Sequence, residues 1–132
     1  MTTIAITVDC GADELDVLAE FWTAALGYQR ILPDYLVDPE GVRPRIALEV
    51  VPEPKTVKNR WHLDIYVDSL DALRPKVDAL VGLGASVVRH FEEASNGYTD
   101  VFTAMLDPRG NEFCVCAPHV RVDNGQPLDS NS

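Results

Sequence analysis

Apolar and polar positions alternate with a two-residue period at the start of the chain. In "TIAITVD", Ile4, Ile6 and Val8 interleave with Thr3, Ala5, Thr7 and Asp9, the pattern of a half-buried strand. The period then lengthens. Leu15, Leu18, Trp22 and Ala25 recur at helical spacing in "ADELDVLAEFWTAALG", acidic residues crowd the start, and Gly27 closes it. Short strands are predicted in "YQRILPDYLVD", then a turn at "DPEG" and a strand at "RIALEVV", where Ile46, Leu48 and Val50 alternate with Ala47 and Glu49.

The same order returns. "RWHLDIYVD" reads as a strand, and "SLDALRPKVDALVGLGA" as a helix with Leu70, Leu73, Val77 and Leu80 on one face. Pro75 inside that pattern should bend the helix or delay its start. Strands follow at "SVVRHFE" and "YTDVFTAML", then the turn "DPRG" and the strand "NEFCVCA". Each helix opens near Leu-Asp and closes on Leu-Gly, and each last strand is introduced by Asp-Pro-x-Gly. Proline at the second turn position and glycine at the fourth is favourable turn chemistry. Its recurrence in matching places makes the chain a duplication of one β-α-β-β-β unit.

The expected fold is α+β: two tandem βαβββ modules forming a curled, cup-like mixed sheet with helices outside. Residues 1–117 form one domain, with modules at about 1–52 and 59–117, and 118–132 form a polar tail that includes His119. The aliphatic positions of each strand, with Trp22 and Trp61, belong to the core beneath the helices. The opposite face collects Thr3, Ala5, Thr7, Ala47, Glu49, His62, Asp64, Tyr66, Glu112, Cys114 and Cys116. His90 is expected at the surface.

Composition narrows the partners. A chain of 132 residues with formal charge −10 would be repelled by a nucleic-acid backbone or an anionic membrane. No apolar run approaches the roughly 20 residues of a membrane span. "MTTIAITVDC" lacks a signal peptide's basic start, so the expected location is cytoplasmic. Cys10, Cys114 and Cys116 suggest no disulfide framework.

The duplicated order, together with "EFWTAALGY", "NRWHLDIYVD", "GLGASVV" and "LDPRGNEFCV", resembles the vicinal oxygen chelate superfamily, and within it the small glyoxalase-like domain proteins. The resemblance spans residues 1–117. It implies paired modules forming a cup. It also implies, in metal-using members, a divalent ion that chelates neighbouring oxygens of a substrate. Such members include lyases, epimerases, ring-cleaving dioxygenases and fosfomycin-modifying thiol transferases; metal-free members include bleomycin-sequestering proteins. Members often pair as homodimers, and a homodimer is expected here.

Carried over position by position, the resemblance matches His62 to the second-module histidine ligand and Glu49 to the first-module carboxylate. No counterpart of the first-module histidine occurs among Thr2 through Val8. Cys114 stands where the last-strand glutamate commonly stands, with Glu112 two residues earlier on the same face. The candidate metal set is therefore Glu49, His62 and Cys114, for one zinc, nickel, manganese or iron ion. Asp64 and Glu112 are the candidate proton-transfer residues, and Thr7, Tyr66 and Phe102 the candidate ligand-binding ones. Each has a plainer account. His62 can hydrogen-bond Asp64, Asp64 can pair with Arg60, Glu112 can brace its turn, and Cys114 can fill core space. Two functions follow: a metal-assisted lyase or isomerase acting on vicinal oxygens, or a metal-free protein that sequesters a small molecule such as an antibiotic. A structural or regulatory module with a vestigial trough is a third, duller option.

Overall fold

The structure, a computed structural model, describes residues 2–95 and 97–121. The chain divides into two compact units, Met1–Val57 and Lys58–Ser132.

The first unit runs β1 (Ala5–Cys10), α1 (Leu15–Leu26), β2 (Gln29–Leu32), β3 (Tyr35–Val37) and β4 (Arg45–Val50). Its sheet order is β1-β4-β3-β2, with β1 parallel to β4 and the remaining pairs antiparallel. The second unit runs β5 (Leu63–Tyr66), a single 3₁₀ turn (Leu70–Ala72), α2 (Leu73–Gly82), β6 (Ser86–Ser95), β7 (Tyr98–Leu106) and β8 (Glu112–Cys116). Its order, β5-β8-β7-β6, repeats that of the first unit, again with the first and last strands parallel. The duplication expected from the sequence is therefore a duplication of topology: two α+β modules of one design.

Each helix is laid on one face of its sheet by the predicted apolar stripe. Leu18, Phe21, Trp22 and Ala25 of α1 are buried, as are Leu36, Ile46 and Leu48 of its sheet. In the second unit Leu73, Val77 and Leu80 of α2 are buried, and Met105, Phe113 and Val115 of its strands are almost inaccessible. Pro75 is the third residue of α2, where its missing N–H has no helical acceptor to lose, and the helix starts only after the 3₁₀ turn.

Two expectations are corrected. Trp61 is 90% exposed, not core. The strand after it is shorter than the alternation suggests: its ladder with β8 begins at Leu63 and Phe113, and Trp61 lies opposite Asn111, before β8 begins. Ile4 and Val50, at the outer ends of β1 and β4, are likewise exposed. Beyond Pro118, Val120–Arg121 form β9, paired to Thr99 and Tyr98 of β7. Residues 122–132 of the expected tail lie outside the described residues.

The two Asp-Pro-x-Gly turns have a common physical basis. The buried Asp38 carboxylate accepts the backbone N–H groups of Glu40, Val42 and Arg43, and the Arg43 guanidinium approaches at 3.3 Å. Asp107, also buried, accepts the N–H groups of Arg109 and Asn111 at Oδ1 and the Asn111 amide at Oδ2. Gly41 and Gly110 close these turns at φ 70° and 88°, a conformation that side chains disfavour. Each aspartate thus fixes where the last strand of its unit begins.

The hydrogen bonds from the Arg43 backbone, then those from Glu40, hold the Asp38 carboxyl well below the usual carboxylate range. A depressed folded-state pKa gives stability that is full above the unfolded value, near 4, and is lost as pH falls through the folded value. Asp38→Asn should therefore be less stable than wild type at pH 7, with the gap narrowing below about pH 4; urea unfolding across pH measures this, and a pH-independent gap contradicts it. Asp107→Ala leaves turn amides without their acceptor and should cost about 2 kcal/mol in the same experiment. A loss below about 0.5 kcal/mol, the size of an ordinary surface substitution, contradicts that role.

Candidate functional site

The alternation of β5 and β8 sends Asp64, Tyr66, Glu112, Cys114 and Cys116 to the sheet face opposite α2. Register then puts them in rows. Asp64 pairs with Cys114, and Cys114 with Ala104; Tyr66 pairs with Cys116, and Cys116 with Phe102. His62 precedes β5 on the same alternation and reaches Asp64, with Nε2 3.1 Å from Oδ1. Donor atoms of His62, Asp64 and Cys114 all lie within 4.8 Å of one another. The structure therefore brings two of the expected metal residues together, and adds Asp64 to them.

Zinc bonds of about 2.0–2.3 Å in a tetrahedral site put its ligands roughly 3.3–3.8 Å apart. The three donors fit such an ion with small side-chain movements. They supply an imidazole, a carboxylate and a thiol, the donor types of catalytic zinc sites, and leave a coordination position for a ligand. The thiol must lose its proton to bind. Burial, and then Asp64, push the Cys114 thiol up, while Lys58 acts in the opposite direction. Cys116 is pushed up to about 12, again chiefly by burial, and stays a thiol.

The other expected residues are not among these three donors. Glu49 is exposed on β4 of the first unit, in register with Asp9; Thr7, in the same unit, is exposed opposite Ala47. The Glu112 carboxylate accepts the Asn59 N–H at 2.9 Å, tying the segment before β5 to the start of β8. Phe102 is half-buried and stacked on Phe91 with centroids 4.6 Å apart. Tyr66 is 54% exposed, and burial of its remainder, with Cys116 and Asp64 nearby, holds its hydroxyl in the protonated form by raising its pKa.

Two groupings escaped the sequence. His119 Nε2 sits 3.2 Å from Asp100 Oδ1, and its ring meets Tyr66 edge-on at 5.9 Å. The alternating "HVRV" was the available signal that the chain returns to the sheet after Pro118. On the opposite face, a cavity of about 460 Å³ lies beside α2, lined by Leu73, Val77, Val101, Thr103, His90 and Glu92. His90 Nδ1 there is 2.9 Å from Thr103 Oγ1.

The sequence profile described as "Glyoxalase-like domain" matches residues 5–116. A glyoxalase/bleomycin resistance protein/dioxygenase family enzyme from Burkholderia phytofirmans PsJN has a similar fold, with TM-score 0.67 and 17% identity over 86% of this chain and 95% of that one. A glyoxalase-related enzyme from Fulvimarina pelagi aligns over 98% of this chain and 99% of its own, with TM-score 0.63 and 15% identity. The fosfomycin resistance protein FosX from Listeria monocytogenes aligns over 89% and 93%, with TM-score 0.65 and 12% identity. No curated protein sequence matches. Among the described residues, no helix is long and apolar enough to cross a membrane. With its duplicated βαβββ topology and a profile match across both units, the chain belongs to the glyoxalase-like domain family of the vicinal oxygen chelate superfamily.

Proposed function

We propose that the second unit binds a small molecule with neighbouring oxygen atoms at a divalent, thiol-compatible metal ion, and that the chain acts on it as a lyase or isomerase. The observation that carries this is the convergence of His62, Asp64 and Cys114 donor atoms within 4.8 Å on one sheet face. A divalent ion bound there supplies Lewis acidity toward adjacent oxygens. The protein's share is positional. His62 and Asp64 stand side by side, Cys114 is anchored by its ladder pairs on both sides, and Tyr66 offers a hydroxyl donor one row away. Cys114 in place of a carboxylate favours zinc or cobalt over harder ions.

A second reading, metal-free sequestration, is favoured by one feature: Cys114 is 9% exposed with a raised pKa, the state of a thiol that fills space. The similarity to a fosfomycin resistance protein fits that reading as well. In either case a homodimer is part of the proposal, since β6 is a ten-residue edge strand with Val87 and Val88 exposed, and such edges call for a cover.

Metal analysis of protein purified without chelator and loaded with zinc separates the two. The metal reading expects about one ion per chain, with affinity lowered more than about 100-fold in His62→Ala and in Cys114→Ser, beyond the loss of an outer-sphere partner. Cobalt substitution should add a near-ultraviolet sulfur-to-metal band that Cys114→Ser abolishes. Absence of stoichiometric metal in the wild type, with small molecules still raising Tm, decides for sequestration.

A further inference from the structure

The sheet of the second unit has another face, and α2 covers only part of it. Ten residues of helix span about 15 Å, whereas the ten residues of β6 span about 33 Å. The cavity of about 460 Å³ lies where the first turns of α2 pass β6 and β7. Its volume is that of a small-molecule pocket. Leu73, Val77 and Val101 give it apolar walls, and Val87 lines it while half exposed.

A β-bulge decides what else faces that space. Val87 lies opposite Met105 and Arg89 opposite Ala104, so Val88 is an extra residue in β6. Strict alternation from Val87 would send Arg89 and Phe91 toward α2. The bulge sends His90 and Glu92 there instead, opposite Thr103 and Val101. Thr103 is 4% exposed, a buried hydroxyl among apolar neighbours. Its Oγ1 is 2.9 Å from His90 Nδ1, and His90 Nε2 is 3.3 Å from Glu92 Oε1. An imidazole that donates Nε2–H to Glu92 accepts the Thr103 hydroxyl proton at Nδ1. Both ring nitrogens are then engaged. What this row still offers the cavity is acceptors: the lone pairs of the Thr103 oxygen and the Glu92 carboxylate.

Charge points the same way. Arg74 Nε lies 3.5 Å from Asp78 Oδ1, so these two lining groups balance each other. With the imidazole neutral, Glu92 is the unbalanced charge among the lining residues. The formal charge of −10 on the whole chain also favours a cation over an anion. We propose that this cavity binds a small amphiphilic cation. An apolar ring or branched chain packs on Leu73, Val77 and Val101, and one protonated amine donates to Thr103 Oγ1 and pairs with Glu92. The site is independent of the His62, Asp64 and Cys114 donors, which lie on the other side of the sheet.

A matched pair of probes tests it. The amine 4-phenylbutylamine and the carboxylate 4-phenylbutanoate share an apolar body and differ in the sign of the head group. Each is titrated into the full chain at pH 8 with EDTA present, so that no divalent metal takes part, and binding is followed by amide chemical shifts. The amine should give saturable shifts at Val77, Val101 and Thr103, and bind at least about 10-fold more tightly than the carboxylate. Glu92→Gln, a change at an exposed position, should weaken the amine about 3-fold or more and leave the carboxylate no weaker. The proposal is overturned if the amine gives no saturable shift, or if both probes bind equally. It is also overturned if the shifts gather at Asp64 and Cys114, or if Glu92→Gln binds the amine as tightly as wild type.

Discussion

Two buried aspartates govern which side chains share a sheet face in this chain. Asp38 and Asp107 each gather backbone N–H groups of the turn that follows them, so the last strand of each unit starts at a fixed residue. In a parallel ladder, a shift of one residue would exchange the two faces of a strand. With Asp107 in place, Cys114 and Cys116 face the same side as Asp64 and Tyr66, while Phe113 and Val115 go under α2. A slip of one position would bury the carboxylate partner row and expose the core. The turn is therefore a structural element whose main consequence is the composition of a sheet face.

That face combines burial with negative charge, and the combination decides the protonation of its thiols. Cys116 lies nearest the packed interior of the sheet, between Tyr66 and Phe102, and burial together with Asp64 and Asp100 keeps its proton in place. Cys114 sits one row nearer His62 and feels Lys58 as well. Cysteines of identical strand geometry are thereby divided: one is a wall, the other is within reach of an imidazole and a carboxylate. A cation arriving at His62, Asp64 and Cys114 would meet the charge that now opposes ionisation of the thiol.

Much of the fold was legible because periodicity and turn chemistry agree. Trp22, Leu18 and Leu80 follow helical spacing into the core, and the paired Asp-Pro-x-Gly turns mark the duplication within the sequence itself. Trp61 misled for a definite reason. Alternation indicates which way a side chain points within a strand, but strand length depends on the partner, and β8 offers none before Glu112. The shared face was legible too, though the expected donor set named Glu49 where the grouped donors include Asp64. His62, Asp64 and Cys114 share a face by parity alone. The His119–Asp100 contact depends on a chain reversal after Pro118 and on a partner nineteen residues away in sequence, which local pattern does not encode.

Duplication also explains why the units differ in what they carry. The first unit's equivalent ladder pairs Thr7 with Ala47 and Asp9 with Glu49, on a scaffold whose strand order is identical. No thiol or imidazole occurs in those pairs. The helix-facing positions must stay apolar in both copies, because they bury the core beneath α1 and α2. The opposite positions are free to diverge, because the ladder hydrogen bonds that hold them are made by backbone and are indifferent to the side chain. A two-residue period thus separates the positions that maintain the fold from the positions free to vary. The second unit has used that freedom to set imidazole, carboxylate and thiol side by side, with a histidine–aspartate pair closing the row beyond them.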